Sequence, residues 1–481
     1  MISIRQHIRA ITALGVPLII GQLGATVQQF ADTAMVGHYG TLELSAAGFV
    51  GNLFNLVIFF MLGISYSTTP VVGASFGRQD FLGTARALRE SLLLGLITSG
   101  AIIGGLTWLY FNIEVLDQPE ELLPLARPYF LTLLLSLPFL AVFNSLKQFS
   151  DALGETRMPM WMMLWGNVLN ILLNWLLIFG FTPGDWLGDS NIIAIPPLGL
   201  LGAGIATLLS RMFMAVGMTI AVFSKNTYSL SRGNIKAYEL HASQSGNAAN
   251  AVTMLTAEKV RRARKTTRRG LWRMTKLGIP ISMQMCLEAA SFNICAIFMG
   301  WIGAIPIAAH QIMCTISTFC FLLMYGIGAA AAVRISHFRG RGEWQQVRET
   351  AVAALALNAC CSIITVTLIC IFISPLTAVF TSNAEVATLV GSLLVPFVIY
   401  QAGDCLQIIY ANALRGIESV KRMMLYAFVA YIVVSLPMSY IFAFVLDYGA
   451  VGVWYGIPFG LTTAGILFYR EFDLQTRRMI K

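Results

Sequence analysis

The chain has 481 residues, of which 57% are hydrophobic and only 11% charged. A soluble domain carries about 25% charged residues, so too few are present here to solvate a core of this size. The net charge of +9 invites a nucleic-acid partner, but the distribution described below excludes one.

Apolar runs recur along the whole chain, each near the roughly 20 residues that cross a bilayer core of about 30 Å. Rich in Leu, Ile, Phe and Gly, they fit helices that pair their own backbone groups, not the alternating ten-residue strands of a barrel. The expected fold is an all-α polytopic membrane protein of twelve transmembrane helices. In chain order the spans are 11–37, 44–76, 88–111, 125–149, 159–180, 198–223, 274–300, 307–335, 350–373, 388–413, 423–446 and 450–470. The first stretch, after Arg5 and Arg9, is too long for a signal h-region and lacks a small-residue cleavage site, so it is read as a retained span. All eight cysteines (286, 295, 314, 320, 360, 361, 370 and 405) lie in apolar runs of the second half without CxxC spacing. They read as buried, inert thiols rather than a metal or redox site.

Cytoplasmic loops carry an excess of Lys and Arg. With the N-terminus inside, the even-numbered connections are the basic ones: Arg78 and Arg86, Arg157, then Arg339, Arg341 and Arg348, then Arg415, Lys421 and Arg422. The tail adds Arg477, Arg478 and Lys481. Apart from Arg127, the odd connections hold acids instead: Glu43, Glu114, Asp117, Glu120, Glu121, Asp185, Asp189, Glu385 and Asp447. The positive charge is thus a topology signal and an attraction to the anionic inner leaflet. It predicts a multi-pass protein of the cell inner membrane with both termini cytoplasmic. The polar stretch 224–273, with Lys259, Arg261, Arg262, Arg264, Lys265, Arg268 and Arg269, reads as a solvated cytoplasmic linker. The expected organisation is an N-lobe 1–223, this linker, a C-lobe 274–470 and a tail 471–481.

The halves look related. Leu14-Gly15-Val16-Pro17 matches Leu277-Gly278-Ile279-Pro280, Gly40 matches Gly303, and Gly77-Arg78 matches Gly340-Arg341, all at an offset of 263. A constant offset across separated landmarks marks an internal repeat. Six-plus-six parallel repeats are a transporter architecture, with a cavity expected between two pseudo-symmetric lobes.

Three carboxylates remain inside spans: Asp32, Glu288 and Asp404. An acid at mid-membrane costs about 2.5–3.5 kcal/mol on insertion scales and is a functional hypothesis by default. The structural alternative is a fixed basic partner, and no Lys or Arg is expected at mid-membrane to serve as one. Gln28 and Gln29 share a helix face with Asp32, Asn167, Asn170 and Asn174 form a stripe in span five, and span six adds Thr207. These hard oxygens suit Na⁺, and the carboxylate alone suits H⁺. Interhelical hydrogen bonding explains the Asn stripe equally well. In span seven Pro280, a kink or hinge, precedes Gln284 and Glu288, and in span ten Gln401, Asp404 and Gln407 share one face. Met285, Phe292, Phe298 and Tyr410 are candidates for an adaptable apolar cavity. No GK[ST] loop, HExxH or GxSxG motif is present, which argues against an ATP motor or an enzyme.

Several of these residues carry a resemblance to the multidrug and toxic compound extrusion (MATE) family, in particular its NorM-like branch. They are Pro17, Asp32-Thr33 and Gly37; Gly73-Ala74-Ser75-Phe76-Gly77; Gly278-Ile279-Pro280 with Glu288; and Tyr400-Gln401-Ala402-Gly403-Asp404 with Ala413-Leu414-Arg415-Gly416. The resemblance implies a V-shaped, twelve-span monomer without cofactor, exporting cationic and amphipathic drugs in exchange for Na⁺ or H⁺. Asp32 resembles the family's first-lobe acid, with Asn170, Asn174 and Thr207 around it. Asn174 stands where the archaeal DinF-like branch has Asp. Glu288 and Asp404 resemble the second-lobe acids, a pattern that favours Na⁺. Pro17 and Pro280 are the implied hinges. Gln28, Gln29, Gln284, Phe292, Gln401, Gln407 and Tyr410 are the expected cavity residues. The competing reading is a flippase of lipid-linked sugars, disfavoured by twelve spans and by acids where a phosphate would call for basic residues. A major-facilitator carrier is disfavoured because the Gly77-Arg78-Gln79-Asp80 loop lacks the DRxGRR pattern.

Overall fold

The computed structural model describes residues 3–116, 119, 121–180, 196–224, 228 and 266–480. Most of the expected linker, including Lys259 to Lys265, lies outside them, as do the outer loop 181–195, Asp117, Glu120 and Lys481. Among the described residues all regular structure is helical. Twelve helices are long and apolar enough to cross a membrane: α1 (Ile4–Tyr39), α2 (Thr41–Gly77), α3 (Phe81–Phe111), α4 (Leu123–Ala152), α5 (Arg157–Phe179), α6 (Gly199–Ser224), α7 (Arg268–Ile302), α8 (Ala304–Arg341), α9 (Trp344–Phe380), α10 (Leu394–Gly416), α11 (Val420–Val445) and α12 (Gly449–Ile480). The chain is therefore the expected all-α, twelve-span membrane protein.

Local chemistry sets where these helices start and change. Asp80 caps α3 by accepting a hydrogen bond from the Gly83 amide at 2.8 Å, satisfying a donor that the first turn leaves orphaned. Asn383 does the same for the short helix Ala384–Ser392, which ends at Leu393 just before α10. The run expected as one span, 388–413, therefore has a break within it. In α11, π-helical stretches Val429–Ser435 and Ile441–Val445 flank Leu436–Tyr440, which contains Pro437. A ring without an N–H removes one rung of the hydrogen-bond ladder, and wider turns are a common accommodation. Helix α12 runs past 470 to Ile480, so the segment expected as a tail continues the helix. Its buried Glu471 accepts from Arg422 at 3.0 Å. Pro17 and Pro280 both lie inside continuous helices, α1 and α7.

The described chain gathers into two compact units. The C-side unit comprises Met1–Ile19, Thr69–Gln79 and Lys276–Lys481, and the N-side unit comprises Ile20–Thr68 and Asp80–Thr275. In the N-side unit α2, α4 and α6 enclose a core of Val50, Phe54, Phe130, Leu134, Leu137 and Leu200, with Phe54 and Phe130 edge to face at 5.0 Å. The end of the linker is tied down in this unit, where the buried Glu90 carboxylate accepts from the Thr267 amide (3.0 Å) and hydroxyl (2.8 Å). The C-side core joins Ile11 and Leu18 to Ile327, Ala330, Ala353, Ala354 and Ile409.

The internal repeat has a physical counterpart within the C-side unit. A Cβ on Gly77 would collide with the backbone carbonyl of His337, and one on Gly340 with the carbonyl of Ala74. A Cβ on Gly73 would instead meet the Ser336 hydroxyl, a side-chain contact. The pairs 73/336, 74/337 and 77/340 are repeat equivalents, so the ends of α2 and α8 cross at a point where each copy presents equivalent positions, with glycine in both at 77 and 340. Glycine is required because backbone meets backbone. Overpacking of this kind costs about 1–3 kcal/mol. Gly77→Ala and Gly340→Ala should each destabilise the detergent-solubilised protein by that amount, seen as a lowered Tm, whereas Gly100→Ala, with open space around its position, should not.

Candidate functional site

Polar residues from α1, α5 and α6 converge on a cavity of about 580 Å³ inside the N-side unit. Gln28, Gln29, Asp32, Asn167, Thr207 and Arg211 line it, together with apolar groups that include Phe54, Phe143 and Met214. Asn174 Nδ2 donates to Asp32 Oδ1 at 2.6 Å, and Gln28 Nε2 reaches Asp32 Oδ2 at 3.4 Å. Asn174 also donates to Asn170 Oδ1 at 3.2 Å. Asn170 and Asn174 are fully buried. The Asn stripe therefore links α5 to the acid of α1, with Asn167 alone of the three facing the cavity. Thr207 lines the cavity while its hydroxyl bonds back to Ala203 O at 3.0 Å.

One expectation is overturned here. Arg211 sits in the middle of α6, lines the same cavity and lies within electrostatic reach of Asp32. Its Nη1 donates to Ser136 Oγ at 2.7 Å. A basic group is thus present at mid-membrane. It is tolerated because the cavity gives it polar surroundings that lipid would not.

The second-half acids occupy the C-side unit. Gln284 Nε2 donates to Glu288 Oε2 at 2.8 Å, and Gln407 Nε2 reaches the same oxygen at 3.3 Å and Tyr431 Oη at 2.8 Å. Arg415 Nη2 donates to Gln284 Oε1 at 2.7 Å. Arg415 was expected in a cytoplasmic loop, but it is a buried residue of the last turn of α10, held there because Gln284 and Asn412 accept its N–H groups. The α10 face behaves as the spacing predicts: Gln401, Asp404 and Gln407 are all buried. Among the described residues Asp404 Oδ2, both amide atoms of Gln401 and Gln407 Oε1 lack a hydrogen-bond partner. Buried polar atoms are nearly always satisfied, and these atoms on one face of α10 are exceptions. Asp404 is also within electrostatic reach of Glu288. Tyr400, one turn before Asp404, accepts from Ser317 at 2.9 Å and stacks edge-on with Phe292 at 6.1 Å.

Some expected cavity residues lie elsewhere. Tyr410 is buried between Tyr469 (5.1 Å) and Phe472 (5.6 Å). Phe298 packs on Trp301 and Tyr440. Two of the thiols read as buried, Cys360 and Cys370, are exposed on α9, because an apolar run in a membrane protein faces lipid as readily as core.

The MatE family model matches residues 17–176 and 280–441, two stretches that begin 263 residues apart. The chain belongs to the MatE family. Multidrug resistance protein NorM of Aliivibrio fischeri is 26% identical over 477 residues, covering 96% of this chain and 94% of the relative. Multidrug resistance protein PmpM of Pseudomonas aeruginosa is 26% identical over 486 residues, covering 100% and 94%. Among solved structures, the eukaryotic MATE transporter AtDTX14 superposes with a TM-score of 0.80 at 17% identity, covering 99% of this chain and 98% of that one. The Vibrio cholerae MATE transporter VcmN does so with 0.80 at 19%, covering 99% of each. The structural likeness is one of fold; the sequence matches make this a NorM-like MATE transporter, a carrier rather than an enzyme.

The chain Arg415–Gln284–Glu288 carries its own test. Arg415→Met leaves the buried Gln284 oxygen without its donor, a loss of about 1–3 kcal/mol. Its Tm should fall accordingly, and Gln284→Met in the same background should add less than it does alone, since the two residues share one bond.

Proposed function

We propose that this carrier exports amphipathic drugs, chiefly cationic ones, in exchange for inward Na⁺ or H⁺, by alternating access of its two repeats. The observation that carries the reading is the buried Asp404 carboxylate, with an open oxygen beside the open oxygens of Gln401 and Gln407. With Tyr400 beside the carboxyl group and no basic residue paired with it among the described residues, an acid kept in hydrocarbon with one oxygen open is best explained by a mobile cation. Hard oxygens suit Na⁺, while Glu288 and Asp32, whose oxygens already accept amide N–H bonds, suit H⁺ or an organic cation. The names of the relatives, multidrug resistance proteins, point to the substrate class. Loading the coupling ion drives release of drug outward, and the ion-loaded carrier returns to discharge inside. Each charge moved through 100 mV contributes about 2.3 kcal/mol, enough for a drug gradient of some fiftyfold. The basic even-numbered connections support placement in the inner membrane with both termini cytoplasmic, lobes at 1–223 and 274–470, the linker 224–273 between them and the tail 471–481 inside. The carrier is proposed to act as a monomer.

Proteoliposomes with an imposed Na⁺ or pH gradient and ethidium as the transported cation test this reading. Gradient-driven ethidium movement is expected in the wild type. Asp404→Asn and Asp32→Asn should each lower it at least tenfold, and Glu288→Gln should weaken it or change which ion drives it. Undiminished driven transport in all three variants would refute the assignment.

A further inference from the structure

Cys314 is a thiol of the C-side unit that is not surrounded by apolar groups alone. His310 and Cys314 stand one turn apart on α8, so their side chains share a face. Cys314 Sγ lies 3.4 Å from His310 Nε2. His310 is 3% exposed, and among the described residues its side-chain hydrogen bonds go to that thiol alone. A thiol is a weak donor, and a buried polar group usually has a better partner than this. The ring's other neighbour is apolar: Trp454 of α12, fully buried, meets it edge-on at 5.7 Å. Cys295 of α7 is turned to Ser439 Oγ at 3.9 Å.

We infer that His310 and Cys314 form a binding site for a soft monovalent cation of the Cu(I) class, which replaces the thiol proton and bridges Cys314 Sγ and His310 Nε2. Thiolate and imidazole are the ligands of soft and borderline ions, not of Na⁺ or Mg²⁺. Their number chooses among those ions. Among the described residues no three His, Cys, Asp or Glu side chains converge as metal ligands, so the four-coordinate shell that Zn²⁺ takes is not on offer. Cu(I) forms stable complexes with two ligands in a line. Charge decides the same way. In the exchange the S–H bond breaks, the thiolate binds the ion together with the imidazole, and the proton leaves for solvent. One positive charge enters as one departs, so the site stays neutral. A divalent ion would leave a net charge in hydrocarbon. The ion needs more room than the proton, and Cys314, half-buried, is the side chain able to withdraw. The inference does not depend on the export reading, because among the described residues neither side chain is bonded to Asp32, Glu288 or Asp404.

The test uses the full-length protein, reduced and in detergent, carrying Cys360→Ser and Cys370→Ser so that the exposed thiols do not compete. Cu(I) is supplied as its bathocuproine disulfonate complex, whose loss of colour counts the ions that the protein takes up. X-ray absorption then reads the ligands of the bound ion. One ion per chain is expected, with a sulfur and a nitrogen neighbour, and Zn²⁺ should bind at least a hundredfold more weakly. Adding Cys314→Ser should lower the affinity for Cu(I) at least tenfold and remove the sulfur neighbour. Adding His310→Gln should lower it by a similar factor and remove the imidazole signature. Should His310→Gln fail to fold, Cys314→Ser, a change of one atom, carries the test alone. No uptake, uptake that a folded variant retains at full affinity, coordination by sulfur only, or Zn²⁺ held as firmly as Cu(I) would each overturn the inference.

Discussion

A polar atom inside a spanning helix has no water to fall back on, and much of what is distinctive here follows from that constraint. Each such group must be bonded within the protein or must open onto a space that a ligand can fill. Most are bonded. Asp32 holds Asn174, Glu288 holds Gln284 and Gln407, Glu90 holds Thr267, and Glu471 holds Arg422. The exceptions include Gln401, Asp404 and Gln407 on one face of α10, and Asn144 and Asn167 along the N-side cavity.

The two units meet this constraint with different chemistry. In the C-side unit, amide nitrogens already satisfy one Glu288 oxygen, and the surplus is acceptor oxygen at Asp404, Gln401 and Gln407. In the N-side unit the acid is held by donors and accompanied by a guanidinium. One repeated fold thus holds two unlike polar environments, because the residues at equivalent positions have diverged: Asp32 of the first copy corresponds to Cys295 in the second.

The fold was largely legible before the structure, because long apolar runs have one solution in a bilayer. The limits came at ends and breaks. Residues 471–480 read as a tail because their charges are frequent, but Glu471, Phe472 and Thr476 form a buried face of α12 that only packing reveals. The break at Leu393 lies between Gly391 and Pro396, punctuation that a long apolar run hides because both residues are tolerated inside spanning helices. At the site, i, i+3 and i, i+4 spacing correctly grouped Gln28 with Asp32 and Gln284 with Glu288, since neighbours on one helix are a local matter. What spacing did not reveal were partners from other helices, such as Tyr431 beside Gln407 or Ser136 beside Arg211. Arg211 itself was visible, a lone Arg thirteen residues inside a span, but counting loop charges passed over it. Tyr410 was the opposite error: an aromatic in a span was read as cavity when it belongs to a cluster with Tyr469 and Phe472.

The crossing of α2 and α8 at Gly73, Gly77, Ser336 and Gly340 has an implication for descent. Because each copy offers the other equivalent positions at the same register, the contact is self-complementary in geometry, the property of a two-fold interface between identical subunits. A half-length ancestor, before duplication joined the copies, would have made this junction with a second molecule of itself. The close backbone approach that now holds one chain together would then have begun as the seam of a homodimer.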